Sequence, residues 1–353
     1  MKIKTRNVKI SGTSAAVPKF TITNHELGDE FFGEKFVSRI EKTVGTKYFH
    51  PANPKKVLAE IDILDKPNYF YSSGDLGIIA AKDLIKKLNI NVEKIDTIIF
   101  NSQTTDFVVP PTAYKIAKTL NIKRDIYIED TTQSCAGFVL SLMKIFPMIE
   151  KGIYKNTLLI NAETHMQIVN RKDKEQALIF SDGAAATFIE KSDYENPAFF
   201  NLRIAPENYE KISMANFGNI SDENTFESGY SYMDGEFVAR YIMKNIPEVL
   251  KETLSFANIT SDNIDSFLFH QANAFMNEFI AKRVHIGKDR LPVNIDKYGN
   301  TSSVSIPLLI VDKEKSIFKG DKKKYLLCGY GGGFAIAAAV MDLENLKGEI
   351  LSV

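Results

Sequence analysis

The chain has 353 residues, enough for two domains or one large double domain with a substantial core, which excludes a small disulfide-stapled scaffold. Lysine plus arginine and aspartate plus glutamate both number 44, so the formal net charge is zero and there is no global electrostatic case for a nucleic acid or an anionic membrane as partner. With 44% hydrophobic residues, only two cysteines and an opening MKIKTRNVKISG that lacks the apolar run of a signal peptide, the expectation is a globular protein of the reducing cytoplasm with both cysteines as thiols.

In chain order, Asp75 to Leu88 (DLGIIAAKDLIKKL) has the spacing of an amphipathic helix and leads into an apolar strand ending near Phe100. Ile126 to Asp130 (IYIED) reads as a short strand, Ala136 to Glu150 as a helix and TLLINA as another strand. FSDGAAATF, containing Ser181, Asp182 and Gly183, reads as a turn before a strand. The segment from Phe217 to Gly235, expected to line the pocket, has no regular period. A helix from Phe237 to Phe256 then precedes the strand FLF. Tyr325 to Met341 is interrupted by four glycines and falls short of the roughly 20 apolar residues of a membrane helix, so it reads as strand, glycine turn, strand.

The halves repeat. Ile95-Asp96 recurs 169 positions on as Ile264-Asp265, Phe100 as Phe269, and Lys151-Gly152 recurs 168 positions on as Lys319-Gly320. That period is far longer than a solenoid's and implies duplicated halves. The helix and strand alternation in each implies largely parallel sheets covered by helices. Active sites of such sheets collect where strands end and helices begin.

Three polar residues occupy such places. Cys135, in EDTTQSCAGFVLSLMKIF, precedes a helix whose free N–H groups favour thiolate; it reads either as a nucleophile with a lowered pKa or as a buried small hydrophobe. His270 follows the strand FLF at the position Asn101 holds in the first copy, and is either an acid, base or hydrogen-bond donor or a structural histidine. Asn300 lies in DKYGNTSSVSIPLLI, where Gly299 permits a turn, in the loop matching the cysteine loop of the first half; alone it is equally a turn or cap residue. A pseudo-twofold packing of the halves would bring the three together. Cys328, inside YLLCGY, reads as a core residue, and His25, His50, His165 and His285 have weaker contexts, with no zinc-like spacing. GYGGGF is a tight turn able to offer a main-chain N–H and is not a dinucleotide fingerprint, since Phe334 takes the place of the third glycine.

Taken in order, SCAGF, SDGAAA, HQAN, YGNTSSVSIP and GYGGGF resemble the ketoacyl-acyl carrier protein synthase III family of thiolase-fold condensing enzymes, over about residues 7 to 343. The resemblance implies a five-layered αβαβα fold of two halves, 1–195 with the cysteine and 196–353 with the histidine and asparagine, and a homodimer. It implies Cys135 as the acylated nucleophile, His270 and Asn300 as donors to the malonyl thioester oxygen, and the amides of Cys135 and Gly332 as the oxyanion hole. It implies no metal or redox cofactor, and an acyl thioester of coenzyme A or a carrier protein, together with malonyl-acyl carrier protein, as substrates.

Three features depart from the family pattern. Phe275 stands where an arginine is usual, there is no tryptophan to stack an adenine (Phe36 or Tyr48 would substitute), and the segment after Lys47 is longer. A carrier-linked donor is therefore the alternative to coenzyme A, with Lys282 and Arg283 either a local basic dock or a solvated helix face. Val109 matches the position that gates the partner subunit's acyl pocket, where valine admits more than acetyl. The leading expectation is decarboxylating condensation through an acyl-cysteine in fatty acid or related acyl-chain synthesis. The alternatives are acyl transfer from the cysteine to an alcohol or amine, and a non-catalytic acyl-binding subunit.

Overall fold

Apolar runs that can be buried on both faces become strands, and the computed structural model of the chain describes them within residues 1–61, 66–122, 125–214 and 229–353. The main strands are β1 (Lys2–Thr5), β2 (Val8–Val17), β3 (Thr97–Asn101), β4 (Tyr127–Thr131), β5 (Asn156–Glu163), β6 (Gly183–Lys191), β7 (Ala198–Ile204), β8 (Ser266–Phe269), β9 (Lys323–Gly331), β10 (Ala335–Leu343) and β11 (Ile350–Ser352). The helices that cover them are α1 (Ser73–Leu88), α2 (Thr112–Thr119), α3 (Gly137–Glu150), α4 (Gly235–Ala257), α5 (Ala274–Arg283) and α6 (Ser305–Lys313). One sheet runs β11-β2-β6-β5-β3-β4 and the other β1-β7-β10-β9-β8.

Both sheets are mixed, which corrects the expectation of largely parallel ones. β3 lies parallel to β4 and β5, and β8 parallel to β9. β6 is antiparallel to β5 and β2, and β10 is antiparallel to β9 and β7. For β9 and β10 the reason is local: the short glycine turn between them cannot supply the crossover that a parallel neighbour needs. The chain ends are exchanged, since β1 pairs with β7 in the second sheet and β11 with β2 in the first.

Helices α3 and α6 are apolar on nearly every side and lie between the sheets. Phe138, Leu142, Ile306 and Leu309 share one core with Ile99 and Leu159 of the first sheet and Leu268 and Leu327 of the second. Each fully buried Leu or Phe there contributes about 1.5–3 kcal/mol. Helices α1 and α2 cover the outer face of the first sheet, and α4 and α5 that of the second. The result is the five-layered αβαβα architecture of the thiolase fold. Of the irregular segment from Phe217 to Gly235, residues 217–228 lie outside the described residues; its end, Ser231–Met233, pairs with Ile212–Met214.

Candidate active site

Cys135 sits in a single 3-10 turn, Ser134–Ala136, between β4 and α3. The approach to that turn is held by Asn101 at the end of β3, whose Oδ1 accepts from Thr131 Oγ1 at 2.9 Å and from Gln133 N–H at 3.1 Å. Ser134 takes a left-handed φ of 49°, a conformation costing a non-glycine residue about 1–2 kcal/mol. The second half repeats the device 168 residues on: Ser302 has φ 51° and opens the turn Ser302–Val304 before α6. The two turns face each other, with Cys135 Sγ 3.4 Å from Ser302 Oγ. The Ser302 hydroxyl donates to Gln103 Oε1 at 2.9 Å, which leaves its oxygen as the acceptor for the thiol proton.

The helix terminus does not lower the thiol pKa as expected from sequence. Burial dominates and pushes Cys135 up to about 11, against the opposing hydrogen bonds of Ser302 and Ser134 and with a small further push from Glu163. Glu163, at the end of β5, is itself buried and pushed up to about 8. It accepts from Gln103 N–H at 3.1 Å and Ser303 Oγ at 3.1 Å, and so clamps the first-half loop to the second-half turn.

His270 follows β8, its main-chain N–H donating to Cys328 O at 2.9 Å. Its Nδ1 lies 2.7 Å from Ser305 Oγ, and that oxygen accepts from Gln271 N–H at 3.3 Å. The Ser305 proton is then available to Nδ1, which keeps the imidazole proton on Nε2. Burial pushes the ring down to about 3, so it is neutral at physiological pH.

Asn300 is pinned by main-chain bonds to the β6 approach, donating to Ile179 O at 2.9 Å and accepting from Ser181 N at 3.0 Å. Gly299 before it has φ 62°, a turn open to glycine at no steric cost. The Asn300 Oδ1 accepts from Ser302 N–H at 2.8 Å, which fixes the carboxamide orientation and leaves Nδ2 as its free donor.

Cys135, His270 and Asn300 line one cavity together with Gln103, His165 and Phe180, while Ile212, Met233, Val238 and Ile242 of the second half make an apolar wall. The space has about 50 Å³ of room for the centres of water-sized groups. No lysine or arginine lines it among the described residues. Gly331 closes one side, where a Cβ would stand 2.9 Å from Cys135 Cβ. Gly332, the next residue, has its Cα side toward Ile212.

The other residues singled out in the sequence lie away from this cavity. Val109 is 82% exposed and Phe275 61% exposed; Lys282 and Arg283 are exposed at the end of α5, with Arg283 over the Phe279 ring at 5.8 Å. Tyr48 is exposed, while Phe36 is partly buried under the Arg39 guanidinium at 5.2 Å. Cys328 is fully buried within β9. Gln103 is not singled out by the sequence, and His165 stands there only among the histidines of weaker context. Both follow the ends of parallel strands, the same signal that had flagged His270. Among the described residues there is no cluster of His, Cys, Asp or Glu able to hold a metal, and no helix long and apolar enough to cross a membrane.

Residues 129–206 match the family described as 3-oxoacyl-[acyl-carrier-protein] synthase III, and residues 254–343 match its C-terminal counterpart. The chain is 30% identical over 276 residues, 77% of its length and 85% of the relative's, to the beta-ketoacyl-[acyl-carrier-protein] synthase III of Streptococcus gordonii. It is 30% identical to a putative 3-oxoacyl-[acyl-carrier-protein] synthase 3 of Campylobacter jejuni, covering 98% of this chain and 97% of that one. The crystal structure of a 3-oxoacyl-(acyl-carrier protein) synthase from Burkholderia xenovorans superposes with a TM-score of 0.89 at 26% identity, over 100% of this chain and 99% of that one.

Proposed function

Because the chain belongs to the 3-oxoacyl-[acyl-carrier-protein] synthase III family of condensing enzymes, we propose that it joins an acyl thioester to malonyl-acyl carrier protein through an acyl group carried on Cys135. The observation that carries this reading is the common cavity of Cys135, His270 and Asn300, a thiol facing two neutral N–H donors.

In the first stage the Cys135 sulfur attacks the donor thioester carbon. The tetrahedral oxyanion is held by the main-chain N–H groups of Cys135 and Gly332, and the leaving thiolate departs with the thiol proton. In the second stage His270 Nε2–H and Asn300 Nδ2–H bind the malonyl thioester oxygen. A carboxylate entering this cavity meets no cation, which favours its loss as neutral carbon dioxide. The electron pair left behind forms an enolate on the oxygen bound by the two donors, and its carbon attacks the acyl-cysteine. The 3-oxoacyl thioester leaves and the cysteine sulfur recovers a proton.

The assembly in this reading is a homodimer in which Val109, outside its own subunit's cavity, reaches the acyl pocket of the other copy. Lys282 and Arg283 receive the acidic carrier. A second reading, transfer of the acyl group to an alcohol or amine, is favoured by one feature, the apolar and exposed Phe275 on the carrier-facing helix.

Incubation with acyl donor and malonyl-acyl carrier protein is expected to yield carbon dioxide and a 3-oxoacyl product, both lost in Cys135→Ala. In His270→Ala and Asn300→Ala, acylation of Cys135 persists while malonyl decarboxylation falls by roughly 10²–10³-fold each, as on removal of an oxyanion donor. Acylation in the native enzyme with no carbon dioxide released, but with turnover on an added alcohol or amine, replaces the first reading by the second.

A further inference from the structure

Three histidines are buried, and the fold provides for two of them. His50 has Pro18 O at Nδ1 and Lys297 O at Nε2, and His270 has Ser305. His165 has neither: its two ring nitrogens are buried with no hydrogen-bond partner among the described residues. It is 3% exposed and stacks face to face on Phe180, ring centroids 4.0 Å apart and 22° between planes. Both rings line the cavity that holds Cys135. Burial pushes the imidazole down to about 3, so it offers one N–H donor and one acceptor at neutral pH.

Buried polar atoms are nearly always paired, and an unpaired ring that lines a cavity has room beside it for a partner. An occupant here enters a cavity lined on the apolar side by Ile212, Met233, Val238 and Ile242 and on the polar side by Gln103, Ser134, His270 and Asn300, none of which is within hydrogen-bond distance of a His165 ring nitrogen. The unpaired Ser134 Oγ lines the same cavity, so polar partners for an entering oxygen are already in place, and an acyl chain bound to Cys135 brings its own groups into this space.

We infer that the acyl group loaded on Cys135 carries an oxygen, a hydroxyl or a carbonyl on the chain itself, and that His165 receives it by hydrogen bonding, making an oxygenated acyl thioester the preferred donor. This rests on the acyl-cysteine reading above. The loading step balances as an acyl exchange: the bond from carbonyl carbon to the donor sulfur breaks, the bond to Cys135 Sγ forms, and the thiol proton ends on the released pantetheine thiol. A plain alkyl chain leaves both nitrogens unpaired, and sites built to bind a substrate hydroxyl discriminate strongly against analogues that lack it.

The test measures the rate of mass gain on Cys135 with pantetheine thioesters of butyrate and of 2-, 3- and 4-hydroxybutyrate. At least one hydroxylated chain is expected to load roughly tenfold faster or more than butyrate. In His165→Leu that ratio collapses because butyrate loads faster, and in His165→Gln, which keeps a donor and an acceptor, much of it survives. Butyrate loading as fast as every hydroxylated chain, or a ratio unchanged in a folded His165→Leu protein, overturns the inference while leaving the acyl-cysteine intact. Absence of any acylation of Cys135 removes both together.

Discussion

At the scale of single residues, the Cys135 thiol is protonated at rest. Cys135 lies at a helix start, yet loss of hydration outweighs the terminal N–H groups and raises it to about 11. Iodoacetamide labelling of Cys135, read by peptide mass, is therefore expected to accelerate up to about pH 9.5 without levelling, whereas an unperturbed thiol begins to level near about 8.5. A plateau below that pH would show the helix terminus in control. The buried histidines carry a sign of their own. The folded His165 has a pKa of about 3, below its unfolded value of about 6.5, so the unfolded chain takes the proton first. Its contribution is complete above that unfolded value and is lost as pH falls toward 3. Glu163, pushed up to about 8, and Asp182, to about 7, act in the opposite sense: their contribution is present at low pH and is lost as pH rises through those values. The stability of the whole protein thus mixes signs, and the difference between variants isolates one of them. His165→Gln is expected to gain stability relative to the native chain as pH is lowered from about 7 to 4, measured by urea midpoints; a constant difference contradicts a neutral buried imidazole.

At the scale of elements, the device that presents Cys135 is a pair of matched turns. Ser134 and Ser302 share the left-handed conformation, and each turn opens one of the two central helices. The end of β9 is pressed against the first of these turns. Gly331→Ala places a methyl group 2.9 Å from Cys135 Cβ and 3.2 Å from its amide nitrogen. Acylation is expected to slow by about tenfold or more, since a displacement of this order in a reacting group costs as much, while circular dichroism stays native. Native acylation rates would show that the turn can shift freely. The helices α1, α3 and α4 and the strands around them were legible in the sequence because their apolar periods are local. The antiparallel placement of β6 and β10 was not, because apolar runs look alike in either direction.

At the scale of the whole molecule, the exchange of β1 and β11 between the sheets ties the two halves together along both edges. Val109 at 82% exposed, beside Val108 at 74%, is a short apolar run that one copy leaves in water. If the proposed dimer holds, light scattering behind gel filtration gives twice the 39.7 kDa chain mass, and Val109→Asp alters which acyl lengths load. A monomer that retains full turnover removes the role given to Val109. By itself, the sequence determined the alternation of helices and strands, because it is written in local apolar spacing, and its ordered motifs carried the resemblance that implied the fold and pointed to Cys135, His270 and Asn300. Only the tertiary structure decided that Cys135 is a raised thiol beside Ser302, that the Ser302 hydroxyl is turned to Gln103, and that His165 lines the same cavity without a partner for its ring nitrogens. Those properties depend on which atoms exclude water from which others, and no spacing along the chain records that.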